Sequence, residues 1–188
     1  MSVDGTDFPI QEPKPFSPVW YSHKFRGSGL RYEVIVSIQT GWIVWINGPY
    51  PAGSMNDLQI AQEYLHQALL PGERYVADRG YYGKQKEKHY AVTNHTRFAR
   101  NDREMDRSIV RARHECINSR FKVFSILKRQ FRHHSLEKHK LVTFCVANIL
   151  QIKMEYSGKN LTWNCHYYQP TIAKNEIVRE DQKKRMTI

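Results

Sequence analysis

Residues 30–46 read L-R-Y-E-V-I-V-S-I-Q-T-G-W-I-V-W-I, and this stretch sets the class of fold. Leu30, Tyr32, Val34, Val36 and Ile38 alternate with Arg31, Glu33, Ser37 and Gln39, the period of two of a strand with one buried face. Thr40-Gly41 turns the chain, Trp42 to Ile46 returns as the second strand of a hairpin, and Asn47-Gly48-Pro49 closes it. Upstream, residues 2–10 (S-V-D-G-T-D-F-P-I) read as a short strand that stops at Pro9. The Pro-, Ser- and Gly-rich residues 11–29 read as a loop between the two.

Beyond the hairpin the period changes. Leu58, Ala61, Leu65 and Ala68 or Leu69 fall on one helical face, with Ser54 of S-M-N-D expected as the N-cap and Asp57 at the third helical position of a capping box. Pro71-Gly72 ends this helix, and Arg74 to Ala77 forms a strand that delivers Asp78 at its C-terminal end, where open α/β sheets place their chemistry. His89 to Thr93 supplies a further strand. From Asp102 to Phe124 a helical period returns, with Met105, Ile109, Ala112, Cys116 and Phe121 inward and Glu115 at the border of that face. After the basic linker K-R-Q-F-R-H-H, a second helix runs from Ser135 to Glu155. Its apolar run Leu141–Met154 is shorter than the ~20 residues of a membrane span and reads as a buried core helix. Strands alternating with helices predict an α/β domain over 2–155, and the falling apolar content of 156–188 predicts a disordered tail.

At 188 residues the chain is long enough for one self-sufficient core. A net charge of +11 favours a polyanionic partner, nucleic acid before membrane. Cys116, Cys145 and Cys165 are odd in number and widely spaced, which argues against a disulfide framework or zinc knuckle, and no signal peptide opens the sequence. An intracellular protein is expected.

Three acids stand out in this basic chain: Asp4 in V-D-G-T, Asp78 in V-A-D-R-G-Y and Glu115 in R-A-R-H-E-C. Two strand-borne carboxylates and one on a helix can converge on a point, and hard cations such as Mg²⁺ prefer such oxygen ligands. Each acid also has a simpler reading. D-G-T is a turn signal, and Glu115 can pair with Arg111 one helical turn earlier. Asp57 reads foremost as a helix cap, with an accessory metal role second.

The strings D-G-T-D-F-P-I, Y-S-H-K-F-R-G-S-G-L-R-Y-E-V, G-W-I-V-W-I-N-G-P-Y-P-A-G-S-M-N-D, A-D-R-G-Y-Y-G and A-R-H-E, in this order, resemble the catalytic domain of Harbinger-type DDE transposases, the DDE Tnp4 group of DDE superfamily endonucleases. The resemblance covers residues 2–155. It implies a ribonuclease-H-like fold with a mixed five-stranded sheet and flanking helices. It further implies Asp4, Asp78 and Glu115 as catalytic ligands of two Mg²⁺ or Mn²⁺ ions, and cleavage or strand transfer of DNA in the nucleus. Glu115 follows Asp78 by 37 residues, which suits that family.

In such transposases a helix-turn-helix region precedes the catalytic domain. Here the catalytic strand begins at residue 2, so an N-terminally truncated domain relying on a separate DNA-binding protein is expected. Residues 95–140 hold thirteen Lys and Arg against five acids, a phosphate track in which Arg107, Arg111, Arg113, Lys122, Lys128, Arg129 and Arg132 are the candidate DNA contacts. A catalytically inactive, transposase-derived binding or interaction protein is the second reading. A basic RNA-associated protein is the third.

Overall fold

The computed structural model describes residues 1–81, 91–92 and 102–156, with side chains given outside 91–92 and 102–107. The rest of the expected 89–93 strand, the inward placing of Met105, the side chain of Arg107 and the tail beyond Tyr156 lie outside the described residues. So do Arg97, Arg100 and the side chain of Arg103 from the basic segment.

One mixed sheet organises the described chain. Strand β1 (Ser2–Pro9) pairs antiparallel along its whole length with β3 (Gly27–Val36), from Ser2 opposite Val36 to Pro9 opposite Gly29. Its other edge meets the short β5 (Tyr75–Val76) in parallel, Ser2 opposite Val76, and β5 pairs in parallel with β6 (Ala91–Val92). The outer edge of β3 takes two strands in succession: β2 (Tyr21–Ser22) against Gly27 and Ser28, then β4 (Ile43–Pro51) from Leu30 onward. The sheet therefore has six strands among the described residues, and β2 lies in a segment read from sequence as loop.

The hairpin forms as its alternation demands, with two differences. Strand β4 does not stop at Asn47-Gly48-Pro49. Glu33 faces Asn47 and Arg31 faces Tyr50, so β4 carries one extra residue there, and this bulge accommodates a proline that has no N–H to give the ladder. Strand β3 is also buried on both faces, Glu33 and Ile35 as fully as Tyr32 and Val34, because helices cover both sides of the sheet.

One face packs Val3, Ile35, Ala61, Leu65, Tyr75, Ala77 and Tyr81 beneath a helical run made of α1 (Asp57–Ile60), a π-helical turn (Ala61–Leu65) and α2 (His66–Ala68). The N-cap of that run is Asn56, not Ser54. Its side chain accepts from the Gln59 N–H at 2.9 Å while Gln59 returns a bond to the Asn56 N–H, so Asp57 is the first helical residue and is not needed as a cap.

The other face packs Phe8, Leu30, Tyr32, Val34, Ile117, Phe121, Leu127 and Leu150 beneath α3 (Asp102–Phe121), α4 (Ser125–Lys128) and α5 (Leu136–Tyr156). Helix α3 turns inward one residue out of phase with its apolar pattern. Val110, His114, Ile117, Asn118 and Phe121 are buried, whereas Ala112 and Cys116 are exposed. Two polar residues, His114 and Asn118, replace apolar ones on the inner face, so apolar periodicity alone points elsewhere. Helix α5 is not buried all round either: His139, Thr143, Val146, Leu150 and Met154 face the core, while Leu141, Ile149, Ile152 and Tyr156 are exposed. Among the described residues no helix is long and apolar enough to cross a membrane.

Phe121 ties α3 to β1, its ring 6.0 Å from that of Phe8 and fully buried. Phe121→Ala is expected to lower stability by about 3–5 kcal/mol, read as a reduced urea midpoint at unchanged slope. A midpoint within error of the parent would show that this contact does not hold the layers together.

Candidate functional site

The acidic cleft begins with backbone pairing. β1 and β5 run parallel with Ser2 opposite Val76, so Asp4, two residues further along β1, and Asp78, two residues past the end of β5, come to the same end of the pair. Helix α3 crosses this edge and contributes Glu115. Asp4, Asp78 and Glu115 line one cleft of about 60 Å³, together with Ser2, Val3, Arg111 and His114. All three acids expected from the sequence thus reach a common space.

Two of them are held by a neighbour. Asn118, three residues along α3 from Glu115, donates to Asp4 Oδ2 at 2.8 Å, and the Gly80 N–H donates to Asp78 Oδ1 at 2.7 Å. His114 Nδ1 bonds Ser2 Oγ at 2.9 Å, and burial pushes this imidazole down to about 4, so it is neutral near pH 7. His114 is therefore a buried brace between α3 and β1, not the surface group its basic surroundings suggest.

A fourth carboxylate approaches from the opposite layer. Asp57, relieved of capping, turns toward β1 at Gly5. A Cβ on Gly5 would lie 2.3 Å from Asp57 Oδ1, so only glycine admits the carboxylate there. Arg31 holds it from the far side at 3.4 Å while binding Asp7 through two bonds of 2.8 and 3.1 Å and the Met55 carbonyl at 3.1 Å. Lys24 donates to the Gly5 carbonyl. Asp57 thus belongs with the acids and not merely to a helix start. Lys24, Arg31, Asp7 and Asn118 had no role in the sequence reading. The available signal was charge at strand positions, since Asp7 and Arg31 stand opposite each other in the β1–β3 ladder.

The charges are unevenly neutralised. Burial pushes the Asp4 carboxyl up to about 6; Lys24 opposes this, and Asp78 and Asp57 add to it. Asp57 is likewise raised by burial against the pull of Arg31 and Lys24. For Asp7 burial acts upward, but its bonds from Arg31 and Ser22 prevail and hold it below the usual range. Lys122 is lowered by burial and by Lys24, and it feels both Asp7 and Asp4. Spacings of four, three and four residues place Arg111, Glu115, Asn118 and Lys122 along one stripe of α3 and the turn that follows it. Lys128, Arg129 and Arg132 are exposed around α4. Arg113 departs from its expected place as a DNA contact: it is half-buried and donates to the Ile38 carbonyl at 3.2 Å in the β3–β4 turn.

A family model described as DDE superfamily endonuclease matches residues 3–150, most of the chain. The chain belongs to this family. No curated protein and no solved structure gives a significant match. A DDE superfamily endonuclease acts on DNA, and the family generally uses divalent metals.

The donor set of this DDE endonuclease fits a hard divalent cation. The cleft offers carboxylate oxygens, and mutual repulsion with Asp78 and Asp57 helps hold Asp4 at about 6, a penalty that positive charge in the cleft would relieve. Among the described residues, however, no three His, Cys, Asp or Glu side chains stand close enough to form a ready cage. The like charges repel, and Asp4 and Asp78 are each drawn to a separate hydrogen-bond donor.

Behind the cleft, Glu33 is buried with neither carboxyl oxygen hydrogen-bonded. Burial, reinforced by Asp57 and moderated by Tyr81, raises it from 4.5 to about 8. The folded state therefore keeps a proton that the unfolded state has released, and stability falls as pH rises through about 8. Between pH 6 and 9 the urea midpoint of the parent should fall, and in Glu33→Gln this part of the fall should disappear. Parallel pH profiles for the two proteins would show that Glu33 is not protonated when folded.

Proposed function

We propose that this DDE superfamily endonuclease is a Harbinger-type nuclease or strand transferase with a ribonuclease-H-like fold, acting on nuclear DNA through two Mg²⁺ or Mn²⁺ ions held by Asp4, Asp78 and Glu115. The observation that carries this reading is the parallel register of β1 and β5, which brings Asp4 and Asp78 level with Glu115 lining the same cleft. The fold assignment is supported by the strand order β3-β1-β5-β6, antiparallel then parallel, with helices on both faces.

In the proposed reaction, water attacks a phosphodiester phosphorus, the bond to the 3′-oxygen breaks, and that oxygen leaves as a 3′-hydroxyl once it takes a proton. In strand transfer the freed hydroxyl attacks a target phosphodiester in the same way. Bound divalent ions supply Lewis-acid stabilisation of the attacking and leaving oxygens. The residues of this chain do the rest. Asn118 orients Asp4 through its 2.8 Å bond, and Arg31 with Gly5 positions Asp57 beside the strand. Arg111, Lys24 and Lys122 lie where an approaching phosphate meets positive charge, and Lys128, Arg129 and Arg132 extend that charge outward.

A second reading, an inactive transposase-derived binding protein, draws on the lack of a ready three-acid cage among the described residues. Purified protein incubated with duplex DNA and Mg²⁺ or Mn²⁺ separates the two. Nicking that falls at least 100-fold in Asp4→Asn, Asp78→Asn and Glu115→Gln, with duplex affinity kept, is the expected result. Salt-sensitive binding without nicking in the parent, indifferent to metal and to Asp78→Asn, would establish the inactive reading instead.

A further inference from the structure

Helix α5 carries a second apolar face that the core does not use. Thr143, Val146, Leu150 and Met154 face inward, and the side of the helix away from them presents Leu141, Cys145, Ile149, Ile152 and Tyr156. Leu141 is 66% exposed, Ile149 50%, Ile152 55% and Tyr156 87%. With Asn148, also exposed, these residues fall within an arc of about 100° and extend over ~22 Å of helix. Single exposed apolar side chains are ordinary, whereas an apolar stripe of this length on a water-facing helix marks an interaction surface.

The order of residues along the stripe decides what fits it. Leu141, Cys145, Asn148, Ile149, Ile152 and Tyr156 are spaced four, three, one, three and four, the same from either end. A two-fold axis between Asn148 and Ile149 therefore sets two copies of α5 antiparallel with Leu141 against Tyr156, Cys145 against Ile152 and Asn148 against Ile149, each contact made twice. The charges at the margin agree with that direction. Lys140 and Glu155 lie on the same flank of the stripe, and the axis brings Glu155 of one copy between Lys140 and Phe144 of the other. Parallel helices would instead oppose Lys140 to Lys140 and Glu155 to Glu155. Glu155 is also held at this margin: Gln151, whose Oε1 accepts from the Ile43 N–H at 3.0 Å, donates through its amide to Glu155 Oε1 at 2.8 Å.

We propose that this stripe is a self-association surface, on which α5 of a second copy of this chain lies antiparallel. A partner of unrelated sequence has no need of a stripe that reads the same in both directions, whereas an isologous contact requires one. Asn148 and Ile149 sit at its centre, Cys145 and Ile152 flank them, and Lys140 with Glu155 closes both ends. The surface shares no residue with the acidic cleft, so the association stands or falls apart from the cleavage reading.

Sedimentation velocity on the full chain, reduced and in EDTA, follows its mass from about 1 to 200 µM, the range in which a modest interface dissociates. A monomer–dimer equilibrium is expected. The double variant Ile149→Lys/Ile152→Lys should weaken it at least tenfold at an unchanged melting temperature, since both side chains are exposed. Glu155→Lys should weaken it at least threefold, and adding Lys140→Glu should restore it. A cross-link reads the direction. In Ile152→Cys, mild oxidation should join the introduced thiol to Cys145 of the second copy, because Cys145 on the same helix is two turns away, ~10 Å, beyond the reach of a disulfide. Peptide mapping that finds instead a bond to Cys165 within one chain would give the face to the chain's own C-terminal segment and overturn the proposal. A monomer at every concentration, or a dimer that the double lysine variant leaves intact, would overturn it as well.

Discussion

The Val76 N–H donates to the Met1 carbonyl at 2.9 Å, and with it the short parallel contact of β1 and β5 sets the geometry on which the functional part of this protein depends. Along its other edge β1 is secured by β3, its antiparallel partner over eight residues. The contact with β5 is much shorter, yet it sets which residue after β5 stands near Asp4. A slip of one residue would turn Asp78 to the other face of the sheet, because side chains alternate along a strand. The apolar pairs that prevent such a slip are Val3 with Tyr75 and Ala77 on one face, all buried in the same cluster.

The inner face of α3 shows how packing and site formation share a helix. Ile117 and Phe121 anchor it in the core, while His114 and Asn118 spend buried positions on bonds to Ser2 and Asp4. A fully apolar face would pack more simply, but it would leave Asp4 without its donor and the start of β1 without its brace. Glu115 follows from this compromise. One step around from His114, it sits outside the core yet opens onto the cleft. The opposite layer makes a parallel compromise, with Arg31 binding Asp7 and Asp57 while Glu33 stays buried and unbonded beside them. Desolvation of these groups costs stability, and the return is a set of acids held in place before any substrate arrives.

Much of the scaffold was readable because its signals are local. The alternation from Leu30, the Thr40-Gly41 turn, the Pro71-Gly72 stop and the helical period after Asp102 each report a backbone conformation that nearby residues decide. Asp4, Asp78 and Glu115 could be singled out for the same reason: an acid at a strand end or a helix border is a local pattern. The readings that failed were those needing knowledge of what lies across the fold. Glu33 looked like a solvent-facing residue until a second helical layer covered it. Asp57 looked like a cap because Asn56, which caps instead, and Gly5, which makes room for its carboxylate, are 51 residues apart.

By itself, then, the amino-acid sequence determined most of the elements, their order and the basic character of the chain, and it singled out three acids as the proposed site. Only the tertiary structure decided which groups meet at those acids: Asn118 on Asp4, Arg31 and Gly5 around Asp57, Lys24 over the Gly5 carbonyl. The physical reason is the range of the interactions. Periodicity and turns are written over a few residues, whereas hydrogen bonds, desolvation and charge coupling act through space between segments that sequence separation keeps far apart.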